Sequence, residues 1–228
     1  MNEHSLRFFG EELERLKAEI ARMGGLVEAQ LADAVAAVAK RDVRLAQQVI
    51  ERDRKLDALQ ADIEREAVRI IALRQPIGQD LRRTVGALKL SLALERAGDY
   101  AKNIAKRALV IAESDPITPM TRSIDRMGRL VSVRLKQSLD AYAAGEVERA
   151  AQIWAADQEV DEHYESLFRE LLTYMMADPR TIQAAAHMLF VAKNLERIGD
   201  YATTVSEILY HEVTGEELEG ERPKGGAA

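Results

Sequence analysis

Apolar side chains recur along the chain at the spacing of a buried helical stripe, with Ala, Leu, Glu, Arg and Gln between them, and the pattern stops at a few Pro and Gly. It predicts an all-α protein. A first helix is expected from about Glu3 to Lys40, running through Gly24-Gly25 at some loss of stability. Asp42 is a suitable N-cap for a second helix, in which Val49, Ile50, Leu56, Ile63, Ile70 and Ile71 share one stripe; Pro76 and Gly78 end it. A third, from about Gln79 to Ala112, carries Leu81, Val85, Leu88 and Leu92 towards Glu95.

Asp115-Pro116-Ile117-Thr118-Pro119 then breaks the pattern, and the sequence begins again. Arg22-Met23-Gly24-Gly25-Leu26-Val27 returns 104 residues later as Arg126-Met127-Gly128-Arg129-Leu130-Val131, and Asp53 and Asp57 return at the same shift as Asp157 and Asp161. Leu94-Glu95-Arg96-Ala97-Gly98-Asp99-Tyr100-Ala101 returns at a shift of 101, with one substitution, as Leu195-Glu196-Arg197-Ile198-Gly199-Asp200-Tyr201-Ala202. Between the two shifts, the second hairpin loop is about three residues shorter. The second half repeats the helices: about Met120 to Ala143, about Glu146 to Met176 after Gly145, and, opened by the cap and first-turn pair Asp178-Pro179, a last one to about His211. The expected fold is two tandem three-helix bundles related by internal duplication, over residues 1–115 and 116–213. Residues 214–228, rich in Glu and Gly, are expected to form a disordered tail.

The repeated segments concentrate acids. A Glu and an Asp four residues apart lie about 40° apart around a helix and so share a face. In an antiparallel hairpin, residues equidistant from the turn lie opposite one another. The Asp53/Asp57 and Glu95/Asp99 pairs have their midpoint at Pro76, and the Asp157/Asp161 and Glu196/Asp200 pairs at Asp178-Pro179, so each repeat is expected to gather four carboxylates. These acids interrupt stripes that are otherwise apolar. Two like charges ~4 Å apart repel by about 4 kcal/mol at an effective dielectric of ~20, so such a group needs protons or cations. Lys102 and Lys193 each supply one cation nearby, whereas Arg96 and Arg197 point about 100° away from the glutamates. A single Glu-x-x-x-Asp pair is commonplace on a charged helix and reads as a surface ion pair; four placed in register also admit a site for hard, oxygen-loving cations. Gly98 and Gly199 read as points of close helix packing, and Tyr100 and Tyr201 as packing residues.

Composition narrows the function. A net charge of -6 and an aromatic share of 5% argue against a nucleic-acid partner. The chain has no Cys, hence no thiolate metal site. The first residues lack the basic and apolar regions of an export signal, and no stretch approaches the ~18 uncharged apolar residues of a membrane span, so a cytoplasmic protein that reaches membranes only through partners is expected. None of the four His has Glu three residues before it, which removes the ferritin-like di-iron pattern. With no nucleotide-binding loop, dinucleotide fingerprint or nucleophile–His arrangement, no catalytic residue is assigned.

At Leu73-Arg74-Gln75-Pro76-Ile77-Gly78-Gln79-Asp80-Leu81-Arg82, at Glu95 to Ala105, at Asp178-Pro179-Arg180-Thr181-Ile182 and at Glu196 to Ala202, the chain resembles the PhoU family, regulators of bacterial phosphate uptake, from about Leu6 to Thr214. The resemblance implies metal ions, in some members iron or zinc clusters, at Asp53, Asp57, Glu95, Asp99, Asp157, Asp161, Glu196 and Asp200; magnesium or manganese would suit the same oxygen ligands. Asn103 matches the family's usual Asn and could support such a cluster, but its counterpart here is Thr204, which implies a weaker or differently occupied second site. The resemblance also implies a homodimer and a negative regulator of the phosphate-starvation response. Such a protein links the ATPase subunit of a phosphate ABC transporter to a phosphate-sensing histidine kinase. The alternatives are a metalloenzyme working through the carboxylates and a metal or phosphate buffer.

Overall fold

The computed structural model describes residues 3–114 and 118–218, and its regular elements there are helical. In chain order they are α1 (Glu3–Lys40), α2 (Val43–Arg52), α3 (Arg54–Arg74), α4 (Gly78–Glu113), α5 (Thr118–Ala144), α6 (Val147–Ala155), α7 (Gln158–Ala177) and, after a 3-10 turn at Pro179–Thr181, α8 (Ile182–Thr214). The bundle α1–α4 is followed by its copy α5–α8. The expected boundary at 115/116 and the tail from 219 to 228 lie outside the described residues. Thr214 still belongs to α8, which ends on Gly215 at φ 80, whose N–H donates to the His211 carbonyl at 2.9 Å. Among the described residues no helix is long and apolar enough to cross a membrane.

Two expected helices are each broken in two, at Asp53 and at Ala156-Asp157. The Asp53 carbonyl accepts from Leu56 N at 2.8 Å as well as from Asp57 N at 3.3 Å, and Ala156 N and Asp157 N reach back three residues to Ile153 O and Trp154 O. The ladder therefore tightens for one turn to the three-residue step of a 3-10 helix and then resumes. The repeats also match at the preceding turn. Gly145 takes φ 71, and its counterpart 104 residues earlier is Arg41 at φ 54, a conformation that opposes a side chain. Arg41 Nη2 donates to Ala112 O at 2.8 Å and to Ser114 O, so hydrogen bonds to the C-terminal end of α4 hold it there.

The copies pack about a pseudo-twofold axis. Along α4 and α8, which form the centre of the molecule, Tyr100 meets its own counterpart Tyr201 with ring centroids 6.0 Å apart. At the crossing of α1 and α5, a methyl on Gly24 would come within 3.0 Å of Leu139, and one on Gly128 within 2.6 Å of Val35; both glycines and both apolar partners are related by the 104-residue shift. One continuous apolar core, from Leu16 in α1 to Leu209 in α8, joins the two repeats.

Candidate functional site

Asp53 sits at the break between α2 and α3, where the tightened turn uses its carbonyl and leaves its carboxylate to point inward. It is 4% exposed. Gln30 Nε2 in α1 donates to Asp53 Oδ1 at 3.0 Å and to Gly98 O at 3.1 Å, tying three helices at one point. Lys102 Nζ in α4 donates to Asp53 Oδ2, and to Asp99 Oδ1 at 2.6 Å. Burial works against the charge on Lys102, but the hydrogen bonds to Asp53 and Asp99 outweigh it and hold its pKa above the ordinary value. Glu95 shows that the expected acids share one field. Burial raises its pKa, Asp99, Asp57 and Asp53 add to the rise, and only Arg96 opposes it.

In the second repeat, Asp157 is equally buried at 4% exposure, but its hydrogen bond comes from Thr203 Oγ1 at 2.7 Å. Thr203 is the counterpart of Lys102, and the counterpart of Gln30 is Arg134. Arg134 is 5% exposed, and its Nη2 donates to Glu159 Oε2 at 2.9 Å while Nε and Nη1 find no hydrogen-bond acceptor. The cation at the first break thus stands at the third-helix position, whereas in the second repeat a buried cation stands at the first-helix position and pairs with Glu159. Glu196 lies 2.7 Å from Lys193 Nζ, and Asp200 lies 3.5 Å from Arg197 Nη1, both cations belonging to α8 itself.

The glycines of the repeated motif are packing points. A methyl on Gly98 would overlap Leu56, and one on Gly199 would stand 3.1 Å from Val160, the counterpart of Leu56. Asn103 makes no hydrogen bond to the acids and lines a cleft between α4 and α8, while Thr204 Oγ1 donates to the Asp200 carbonyl at 3.0 Å. Sequence reasoning missed Gln30 and Arg134. Their signal was a long polar residue inside the apolar stripe Val27, Leu31, Ala34 and beside its repeat Val131, Leu135.

Whether these residues fit a metal depends on their chemistry and on their spacing. The donor set is all carboxylate, the chemistry that hard cations need. As they stand, the ammonium of Lys102 occupies the position between Asp53 and Asp99, and among the described residues no three His, Asp or Glu side chains converge closely enough to hold one ion. In this arrangement the carboxylates stand too far apart to share one ion, whether or not Lys102 lies between two of them.

Fold and site define a duplicated helical protein with one buried carboxylate, Asp53 or Asp157, at the helix break of each repeat. The PhoU domain matches it twice, over residues 20–108 and 124–209. The chain is 60% identical over 224 residues to a phosphate-specific transport system accessory protein PhoU homolog of Caulobacter vibrioides (strain NA1000 / CB15N), covering 98% of this chain and 97% of that one. It is 38% identical over 218 residues to the phosphate-specific transport system accessory protein PhoU of Escherichia coli (strain K12), covering 96% and 90%. The crystal structure of PhoU from Pseudomonas aeruginosa superposes with a TM-score of 0.87 at 38% identity, over 91% of this chain and 100% of that one. The chain belongs to the PhoU family.

Proposed function

We propose that this protein is an accessory protein of phosphate transport that represses the phosphate-starvation response, acting in the cytoplasm as an adaptor between the ATPase subunit of a phosphate ABC transporter and a phosphate-sensing histidine kinase. The observation that carries the reading is the 60% identity over nearly the whole chain to a protein named as an accessory of that transport system. Long helical faces without a catalytic constellation suit a docking role. Deleting the gene and following a phosphate-starvation reporter in phosphate-rich medium tests it: the reporter should switch on, and unchanged expression would sink the regulatory reading while leaving a transport role to be measured as phosphate uptake.

The same reading assigns metal ions to the carboxylate clusters, at Asp53, Asp57, Glu95 and Asp99 in the first and at Asp157, Asp161, Glu196 and Asp200 in the second. In the first, a cation competes with Lys102 for Asp53 and Asp99. Mass spectrometry of protein prepared without chelators, compared with Glu95→Ala and Glu196→Ala, tests this; metal-free wild type counts against it.

A further inference from the structure

The α4–α8 pairing creates two clefts that the pseudo-twofold axis relates and that have diverged in charge. One, of about 420 Å³, is lined by Asn103, Lys106, Arg107 and Val110 of α4 with Phe190 and Asn194 of α8. At the counterparts of Asn103, Lys106 and Arg107 the other is lined by Thr204, Glu207 and Ile208. The first cleft is cationic in a protein whose net charge is -6. Neither Lys106 nor Arg107 pairs with a carboxylate among the described residues, whereas Lys102, one turn away, has two. Arg107 is also held in place. Its guanidinium lies 4.5 Å from the centre of the Phe190 ring, and its Nη1 stands 3.3 Å from His187 Nδ1, which must accept because an Arg nitrogen only donates. An arginine fixed in this way loses less side-chain entropy when it binds a ligand than a free one does.

We propose that this cleft is a binding site for a phosphate oxyanion, with Arg107 and Lys106 taking the charge. The choice of phosphate follows from the acceptors beside the cations. Asn194 Nδ2 donates to the Phe190 carbonyl at 2.6 Å, which leaves its amide oxygen to accept, and Asn103 offers a second amide oxygen. Hydrogen phosphate carries a proton for such an acceptor and sulfate does not. This inference does not depend on the regulatory reading, since it concerns the purified protein alone.

Titration calorimetry of the full chain with inorganic phosphate at low salt should give saturable binding, weakened at least about tenfold in the double variant Lys106→Ala/Arg107→Ala. Glu207→Ala, in the other cleft, should leave it unchanged, and sulfate should bind more weakly than phosphate. The same titration with ATP separates the sources of the group: ATP binding tighter than phosphate, and equally sensitive to the double variant, assigns the site to a nucleotide-borne phosphoryl group, while ATP binding no tighter assigns it to the free ion. In the wild type, NMR should show the side-chain amides of Asn103 and Asn194 shifting with phosphate, which decides the matter even if the double variant fails to fold. No saturable binding of phosphate or ATP to wild type, or binding that leaves those amides still, overturns the proposal.

Discussion

The two repeats bury the same acid at the same break, yet meet it with different groups. Asp53 is met by an amide from α1 and an ammonium from α4; Asp157 is met by a hydroxyl from α8, with the buried cation on α5. What persists through the duplication is a buried carboxylate at the kink, because the tightened turn frees that side chain and the hairpin register aims it at the third helix. What changes is which groups meet it. A carboxylate in a partly buried site requires some compensating group, but any helix in contact can supply it.

The largest test of this comparison removes the compensating group. Lys102→Ala should lower stability by about 2–3 kcal/mol at neutral pH in metal-free buffer, because it takes the ammonium from both Asp53 and Asp99, whereas Thr203→Ala should lose about 1.5 kcal/mol, one hydrogen bond from a hydroxyl to a carboxylate. Urea unfolding of both variants measures the difference, and equal losses would break the asymmetry. If Lys102 competes with a metal, the same Lys102→Ala protein should retain more manganese or zinc than wild type and regain stability when either is added.

Packing supplies a second contrast. Gly98→Ala forces Leu56 to move and should cost about 2 kcal/mol, while Gly199→Ala, facing the smaller Val160, should cost less than about 1 kcal/mol. Pairing Gly98→Ala with Leu56→Val gives the first repeat the smaller facing residue of the second and should recover most of the loss in thermal unfolding.

The smallest expected effect concerns the seam between repeats. Burial raises the pKa of Glu212 to about 6, against the opposing pull of Arg83 and Lys17, and its Oε2 has no hydrogen-bond partner. The folded state therefore holds this proton more tightly than the unfolded chain, whose carboxyl titrates near 4.5. Its contribution is full below that value and is lost as pH rises through about 6, a drop of about 1–2 kcal/mol. Glu212→Gln should flatten that part of the stability profile and leave the variant more stable than wild type at pH 7; an unaltered profile would place the pH dependence elsewhere.

Much of this architecture was legible in the sequence. The equal spacing of the acids about Pro76 and about Asp178-Pro179 placed α3 against α4 and α7 against α8, because helical rise is uniform and the loops are short. The breaks at Asp53 and Asp157 were not legible, since neither position carries Pro or Gly and a three-residue backbone step is open to most residues. The buried polar residues of the first helix in each repeat were hidden for another reason. Gln30 and Arg134 lie far from the acids along the chain, on helices whose rotation about their own axes depends on the packing of Gly24 against Leu139 and Gly128 against Val35. Lys102 was visible as a neighbour of Asp99, but its reach across to Asp53 belongs to the tertiary structure.

Those glycine contacts have a mechanical consequence. Each is a notch filled by a knob from the opposite helix, and the two notches face in opposite senses along the crossing of α1 and α5. Sliding one helix past the other would lift Leu139 and Val35 from their seats together, so the joint resists shear in both directions. A load applied to one repeat would therefore pass to the other as displacement instead of being lost as slip.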